Sequence, residues 1–218
     1  MSGGRTQHPR IDPVRLDDLA AGDPAELTAR ADLEATRFSG VRRASLDLGG
    51  ARLDGVELAD LVADETDLRG ARLTEVRLDG VGLPVVRAAG TEWRDVEVSG
   101  RLGSVEAYEA RWRGVHLVGA KISFLNLRAA QLVDVAFTDC VVEELDLQGA
   151  EITRLRFVDT TVRRLETHGA RLTDVDLRGA TLEVVDGLGD LRGATVSPEQ
   201  LTLLAPLLAD HLGLLVEE

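Results

Sequence analysis

The sequence contains one cysteine, and aromatic residues make up only 3% of its 218 positions. A single cysteine excludes an internal disulfide, and its place in the pattern described below reads Cys140 as a small buried residue. With so few rings, aliphatic side chains must supply nearly all of the burial. No apolar run is long enough to span a membrane, and the amino terminus lacks the charged-then-apolar order of a secretory leader, so the expected location is cytoplasmic, with no membrane association. Catalytic signatures are also missing. The four histidines, His8, His116, His168 and His211, are scattered without ligand spacing to cysteine or carboxylates, and G-x-S-x-G, P-loop and C-x-x-C motifs are absent. The reading is of a protein that is not an enzyme and takes no cofactor or metal.

What the sequence does contain is a repeat. From Ala51 to Gly80 it reads ARLDG VELAD LVADE TDLRG ARLTE VRLDG, a five-residue period with a small or aliphatic residue first and usually leucine third. The frame extends back to Ala31 and on through VGLPV VRAAG TEWRD and a shortened VEVS, skips one residue near Ser99, resumes at Gly100 and runs to about Gly189, giving 32 units. Such a unit cannot bury its own apolar face and depends on stacked neighbours.

First residues taken every fourth unit sort by type. One column is Ala31, Ala51, Ala71, Thr91, Ala110, Ala130, Ala150 and Ala170; the next is Thr36, Val56, Val76, Val96, Val115, Val135, Leu155 and Val175; the column from Leu46 holds Leu, Thr and Val. The structural period is therefore 20 residues with four distinguishable sides, numbered here from the alanine column. The columns stay in phase only if one residue is missing near Ser99, which makes the skip a local bulge and not a domain boundary. Central residues form a second inward set, Leu33, Leu53, Leu73, Trp93, Trp112, Leu132, Ile152 and Leu172 on side one. The two tryptophans are thus expected to stack one coil apart at about the 4.8 Å strand spacing. Ala88 and Ala107 in the preceding units release the volume the indoles need.

This pattern resembles the pentapeptide-repeat family, A-(D/N)-L-x-x, carried here by ADLEA, ARLDG, TDLRG, LDLQG and VDLRG. The resemblance covers about 31–196. It implies an all-β solenoid, a right-handed quadrilateral β-helix with four units per coil, the first and central residues of each unit facing inward. About eight coils would make a rod of roughly 38 Å. The division expected is 1–30 as amino-terminal tail and cap, 31–196 as β-helix, and 197–218 as a carboxyl-terminal helical cap.

At the amino end, Met1 to Pro9 read as disordered, and DPVRLDDLAAGDPAEL reads as a short capping helix starting at Asp12 and Pro13, with Leu16 and Leu19 as its apolar pair and Gly22 as its stop. At the carboxyl end, Ser197, Pro198 and Gln200 form an N-cap, first-turn proline and capping-box partner. Pro206 predicts a kink or two short helices. Leu201, Leu204, Leu208 and Leu212 give one apolar stripe, which can cover the last coil, and Leu203 and Leu207 add a second. The surplus suggests a homodimer through Leu203, Leu207, Leu208 and Leu212, which the family resemblance also implies; a wide stripe that simply caps the rod is the alternative.

Charge is the remaining signal. There are 38 acidic residues against 25 basic ones, a net of −13, which argues against direct nucleic-acid binding. On side four the second residues of successive units are Asp47, Asp67, Arg87, Glu106, Asn126, Asp146, Glu166 and Asp186, six of the eight acidic, with Gly50, Gly70, Gly90, Gly149, Gly169 and Gly189 at the last position of most units. The matching column on side one is mixed in sign. Stacked like charges cost up to about 1 kcal/mol per adjacent pair, so such a column is not explained by folding. Solubility accounts for it about as well as any specific role. The sharper reading is an imitation of the phosphate rows of duplex DNA. The family resemblance points the same way. It includes fluoroquinolone-resistance proteins that resemble DNA and bind DNA gyrase and topoisomerase IV, here with Asp47, Asp67, Glu106, Asp146, Glu166 and Asp186 as the contact. No projecting loop is present, and Arg52, Arg72, Arg94, Arg111, Arg113, Arg154 and Arg171 weaken any mimicry on side one. A scaffold for another protein partner is the alternative.

Overall fold

The computed structural model describes residues 6–217, in which parallel strands are wound into a single β-solenoid. Each side pairs with the same side of the next coil, at a 20-residue offset except for 19 across the Ser99 skip and at the last coil. Asp32 lies against Arg52, Arg52 against Arg72, Gln131 against Glu151 and Glu151 against Arg171. The alanine and valine columns and the central leucines are buried through the body of the rod, with end members such as Ala31, Leu172 and Leu182 only partly covered, so the inward positions read from the sequence are the core. Two short pairings, Ala20–Ala21 on the first coil and Ala194–Thr195 on the last, add partial turns. The rod accordingly makes about nine turns, one more than the repeat count gives.

Corners between sides require left-handed backbone, which explains the glycine column. On side four Gly50, Gly70, Gly90, Gly149 and Gly169 have φ of 65°, 66°, 63°, 68° and 69°. Gly189, read as the last of that column, instead lies in a 3₁₀ turn, Leu188–Asp190.

The skip is a bulge, as the column phase requires. Pairing steps from Leu78↔Val98 to Val81↔Gly100. Ser99 fills the gap: its Oγ accepts from the Gly80 N–H at 2.7 Å and donates to Asp79 Oδ1 at 2.7 Å. Gly100 has φ 118°, and a Cβ there would sit 2.2 Å from the Val81 carbonyl oxygen, so no other residue fits unstrained.

Trp93 and Trp112 stack with centroids 4.7 Å apart and planes 9° apart, and Ala88 and Ala107 are fully buried. Both indole N–H groups are buried without an acceptor. Cys140 is buried, its Sγ–H facing the carbonyls of Leu117 and Thr138 at 3.4 and 3.3 Å, and burial pushes its thiol up from the ordinary range.

The two ends differ from expectation. Residues 12–22 form no helix. Two prolines in HPRIDP keep the backbone extended, and the segment has other partners. Thr6–Leu19 runs along side two and its corner with side one, from the last coil to the first. Thr6 Oγ1 meets Thr195 Oγ1, the Gln7 N–H donates to Asp174 at 3.1 Å, the Arg10 N–H donates to Asp134 at 2.9 Å, and the Val14 carbonyl accepts from Arg77 at 2.5 Å. Thr6 to Pro9, read as disordered, are thus laid on the rod; Met1 to Arg5 lie outside the described residues. The first coil is covered by Ala20–Ala21 and a 3₁₀ turn, Pro24–Glu26, closed by an Asp23 capping box. At the other end Pro198–His211 is one α-helix, α1, with the Ser197–Gln200 capping box in place and Pro206 inside it, not two helices. Gln200 Nε2 donates to the carbonyls of Leu177 and Ala180, both at 2.7 Å, fastening α1 to the last coil.

Candidate functional site

The side-four column is in register. Asp47 pairs with Asp67, Asp67 with Arg87, Glu106 with Arg87 and Asn126, Asp146 with Asn126 and Glu166, and Glu166 with Asp186. The six acidic residues singled out from the sequence therefore do come together on one side. Their environment differs from a row of free charges.

Most of these acids cap the turn that follows them. The N–H two residues on donates to the side-chain oxygen: Gly49 to Asp47 at 2.9 Å, Arg69 to Asp67 at 3.0 Å, Gln148 to Asp146 at 3.0 Å and His168 to Glu166 at 2.8 Å. Asn126 does the same for Arg128 at 3.1 Å without a charge. Folding thus does explain the residue type, contrary to the reading from charge alone. In five of the eight coils a side-chain acceptor at this position satisfies a turn N–H that would otherwise be unpaired.

Three acids are further neutralised by arginine. Arg69 contacts Asp67 at 2.5 Å, Arg128 contacts Asp146 at 2.6 Å, and Arg164 pairs with Asp186. The Arg69 guanidinium, against the opposing push of burial, holds the Asp67 carboxyl below the usual carboxylate range. Asp146 is only 1% exposed and presents no charge to a partner. Glu106 accepts from Asn126 Nδ2 at 2.7 Å, and Glu166 contacts His168 Nδ1 at 2.5 Å. Asp47, Glu106 and Glu166 are the members of the column without an arginine partner among the described residues.

Ion pairs account for much of side one as well. Arg72 and Arg111 share Glu92, at 3.2 and 3.5 Å, Arg171 pairs with Glu151, and Arg154 grips Asp134 at 2.5 and 2.7 Å. Burial pushes the Asp134 carboxyl up, but the Arg154 hydrogen bonds and the Arg10 N–H outweigh it, and the net direction is down.

Side two holds what sequence reasoning missed. Its outward column alternates in sign, Arg37–Glu57–Arg77–Glu97, with Arg37 on Glu57, Arg77 on Glu57 at 3.3 Å, and Arg77 on Glu97 at 3.4 Å. Glu57 is buried. The alternation can be read as every fourth second-position residue, but the strap that covers it could not be read, because HPRIDP carries no periodicity. Under the strap, His116 Nε2 lies 2.9 Å from Thr138 Oγ1, and burial lowers the His116 pKa against the raising effect of Glu97.

Of the leucines assigned to a dimer, Leu203, Leu207 and Leu208 lie on α1 and Leu212 is its C-cap. Leu203 is 73% exposed, Leu207 44% and Leu212 69%, while Leu208 is half-buried and Leu204 packs against the rod. The tail continues apolar, with Leu215 92% and Val216 81% exposed. No helix among the described residues is long and apolar enough to cross a membrane.

Taken together, in-register five-residue units on four sides define a β-solenoid. The family model for pentapeptide repeats matches residues 44–80 in eight copies, and the chain carries these repeats. Among solved structures, it is similar to full-length QnrB1, a plasmid-mediated fluoroquinolone resistance protein, at 18% identity and TM-score 0.41, over 86% of this chain and 94% of that one. It is also similar to HetL, a pentapeptide repeat protein involved in heterocyst differentiation regulation from the cyanobacterium Nostoc sp. strain PCC 7120, at 19% identity and TM-score 0.23, over 76% of this chain and 89% of that one. No curated protein matches the chain in sequence.

Proposed function

We propose that this chain is a non-enzymatic cytoplasmic protein that acts by binding other proteins, as an acidic rod that occupies a basic groove on its partner. The specific groove is the DNA-binding surface of a type II topoisomerase such as DNA gyrase, or of topoisomerase IV. The observation that carries the reading is the net charge of −13 on a rod whose side-four column is acidic at six of its eight in-register positions, interrupted by Arg87 and Asn126. The ion pairs refine it. Asp47, Glu106 and Glu166, which lack an arginine partner among the described residues, are the contact residues, and Asp67, Asp146 and Asp186 are held by Arg69, Arg128 and Arg164. Spacing near 4.8 Å per coil is coarser than one phosphate per 3.4 Å, so the rod offers a charged track and not a copy of the duplex.

The test is a gyrase supercoiling assay titrated with the purified protein at two salt concentrations, with and without a fluoroquinolone. Inhibition of supercoiling, or protection from drug-induced cleavage, that weakens at higher salt and is lost in Asp47→Lys/Glu106→Lys/Glu166→Lys supports the reading. No effect at micromolar protein sinks it. A second reading, a scaffold for a different partner, is favoured by the exposed leucines of α1, which also support a homodimer.

A further inference from the structure

Side two is covered by the chain's own residues 6–19, and the manner of covering resembles the docking of a ligand more than the packing of a core. From Thr6 to Leu19 the strap forms no strand ladder. It is held by single bonds, most of them through its backbone: the N–H groups of Gln7 and Arg10 on the carboxylates of Asp174 and Asp134, and the carbonyl of Val14 on the Arg77 guanidinium. Recognition of main-chain groups at intervals along an extended segment is how peptide grooves gain affinity without demanding one sequence. Within this stretch only Val14 is buried.

Between the strap and the rod lies a half-open groove of about 510 Å³, bounded by Pro9 and Ile11 on the strap and by His116, Val118, Arg156 and Val158 on the rod. The interior of the solenoid is filled by interlocking columns, and close packing is the norm for a permanent interface. A space of this size falls within the range of ligand pockets, roughly 300–1,000 Å³. Arg156 Nε is buried there without an acceptor. The strap meets carboxylates of the rod, with His8 Nδ1 lying 3.9 Å from Asp176 Oδ2 and the Arg10 backbone N–H on Asp134, whose carboxyl pKa the Arg10 charge also lowers.

We propose that side two is a peptide-binding site occupied in cis by residues 6–14. Its partner in trans is an extended, basic, proline-containing segment of another protein, whose larger apolar side chains fill the space that Pro9 and Ile11 leave. The proposal rests on the protein-binding reading but uses a different side from the acidic column. The cis strap acts as a competitor whose effective concentration is of the order of millimolar, so the site opens only to a segment that fits better than the strap does.

The probe is a fluorescent peptide of residues 6–16, TQHPRIDPVRL, titrated against the full-length chain and against a full-length Arg10→Pro/Val14→Asp variant. Proline at position 10 removes the N–H that Asp134 accepts, and Val14→Asp removes the buried anchor; circular dichroism checks that the coils remain folded, and Arg10→Pro alone serves if the double variant does not fold. The expected result is at least tenfold tighter binding to the loosened variant than to the wild type, and severalfold tighter binding again for a peptide with Ile11→Phe. Equal affinity for both chains, no binding to the folded variant at 100 μM (about 100 μM being the weak end of peptide docking), or equal binding of a scrambled peptide overturns the proposal. Loss of peptide binding with a retained gyrase effect overturns this site alone, and the reverse pattern overturns the topoisomerase reading alone.

Discussion

Replacing Asp146 separates the two roles an acid on side four can have. Asp146 is 1% exposed; its Oδ1 accepts from the Gln148 N–H at 3.0 Å and its Oδ2 from Arg128 Nε at 2.6 Å. A hydrogen bond to a charged group contributes about 1.5–3 kcal/mol, and the part-buried Gln148 N–H left without its acceptor costs about 1–2 kcal/mol, the lower part of the range for buried groups. The Arg128 side chain is 55% exposed, so it recovers most of its interaction in water and its share falls to about 1 kcal/mol or less. Asp146→Ala should therefore destabilise by about 2–3 kcal/mol. Asp146→Asn keeps the turn acceptor and loses only the charge, for about 1 kcal/mol or less. Asn126, one coil away, already performs the same capping without a charge, accepting from Arg128 N at 3.1 Å. Urea unfolding followed by far-ultraviolet circular dichroism measures both variants. If Asn costs as much as Ala, or if Ala is silent, the turn-capping account of the acidic column is wrong. Asp47→Ala is the contrast: Asp47 is exposed and has no arginine partner among the described residues, so its loss should register less in stability than in partner binding.

Other expectations follow from single contacts. Gly100→Ala should lower stability by more than about 2 kcal/mol, since the new Cβ meets the Val81 oxygen at 2.2 Å in a backbone with φ 118°; an unchanged thermal melt contradicts this. Trp112→Ala should cost about 3–5 kcal/mol through the cavity it opens beside Ala107, read by the same urea titration. His116 has a folded pKa below the ordinary 6.5 because burial disfavours its charged form. It thus binds fewer protons folded than unfolded, and it contributes stability that is present at neutral pH and lost as pH falls below about 6.5. The groups facing it are Glu97, Thr138 and the strap, and His116→Gln should flatten the pH dependence of stability in that window. Leu203→Asp/Leu212→Asp should shift any homodimer to monomer in analytical ultracentrifugation, and a wild type already monomeric at tens of micromolar, a concentration that corresponds to weak association, removes α1 as a dimer element.

The solenoid was legible because each column repeats the same physical demand. An alanine at Ala110 or a leucine at Leu132 is chosen by the neighbours one coil above and below, so periodicity alone locates the core. The skip at Ser99 could be placed for the same reason. The strap could not, because Gln7 and Arg10 dock through backbone N–H groups that every residue but proline possesses. Asp12–Gly22 looked helical by its start and stop residues, yet prolines and contacts with a distant surface decided its conformation. The acidic column was found but misjudged. Its register needs only sequence, whereas its neutralisation depends on Arg128 and Arg164 reaching it from different positions of the repeat.

The tryptophan stack has an optical consequence. Trp93 and Trp112 are the only two indoles in the chain, and they lie nearly face to face at 4.7 Å, 9° from parallel. Two identical chromophores at that separation couple their excited states, and the coupling falls steeply as they part or rotate. Circular dichroism in the indole absorption bands therefore reports the spacing of one adjacent pair of coils in the middle of the rod, independently of the backbone signal from the rest. Stretching, twisting or local opening of the solenoid when a partner grips it would be visible there without any added label.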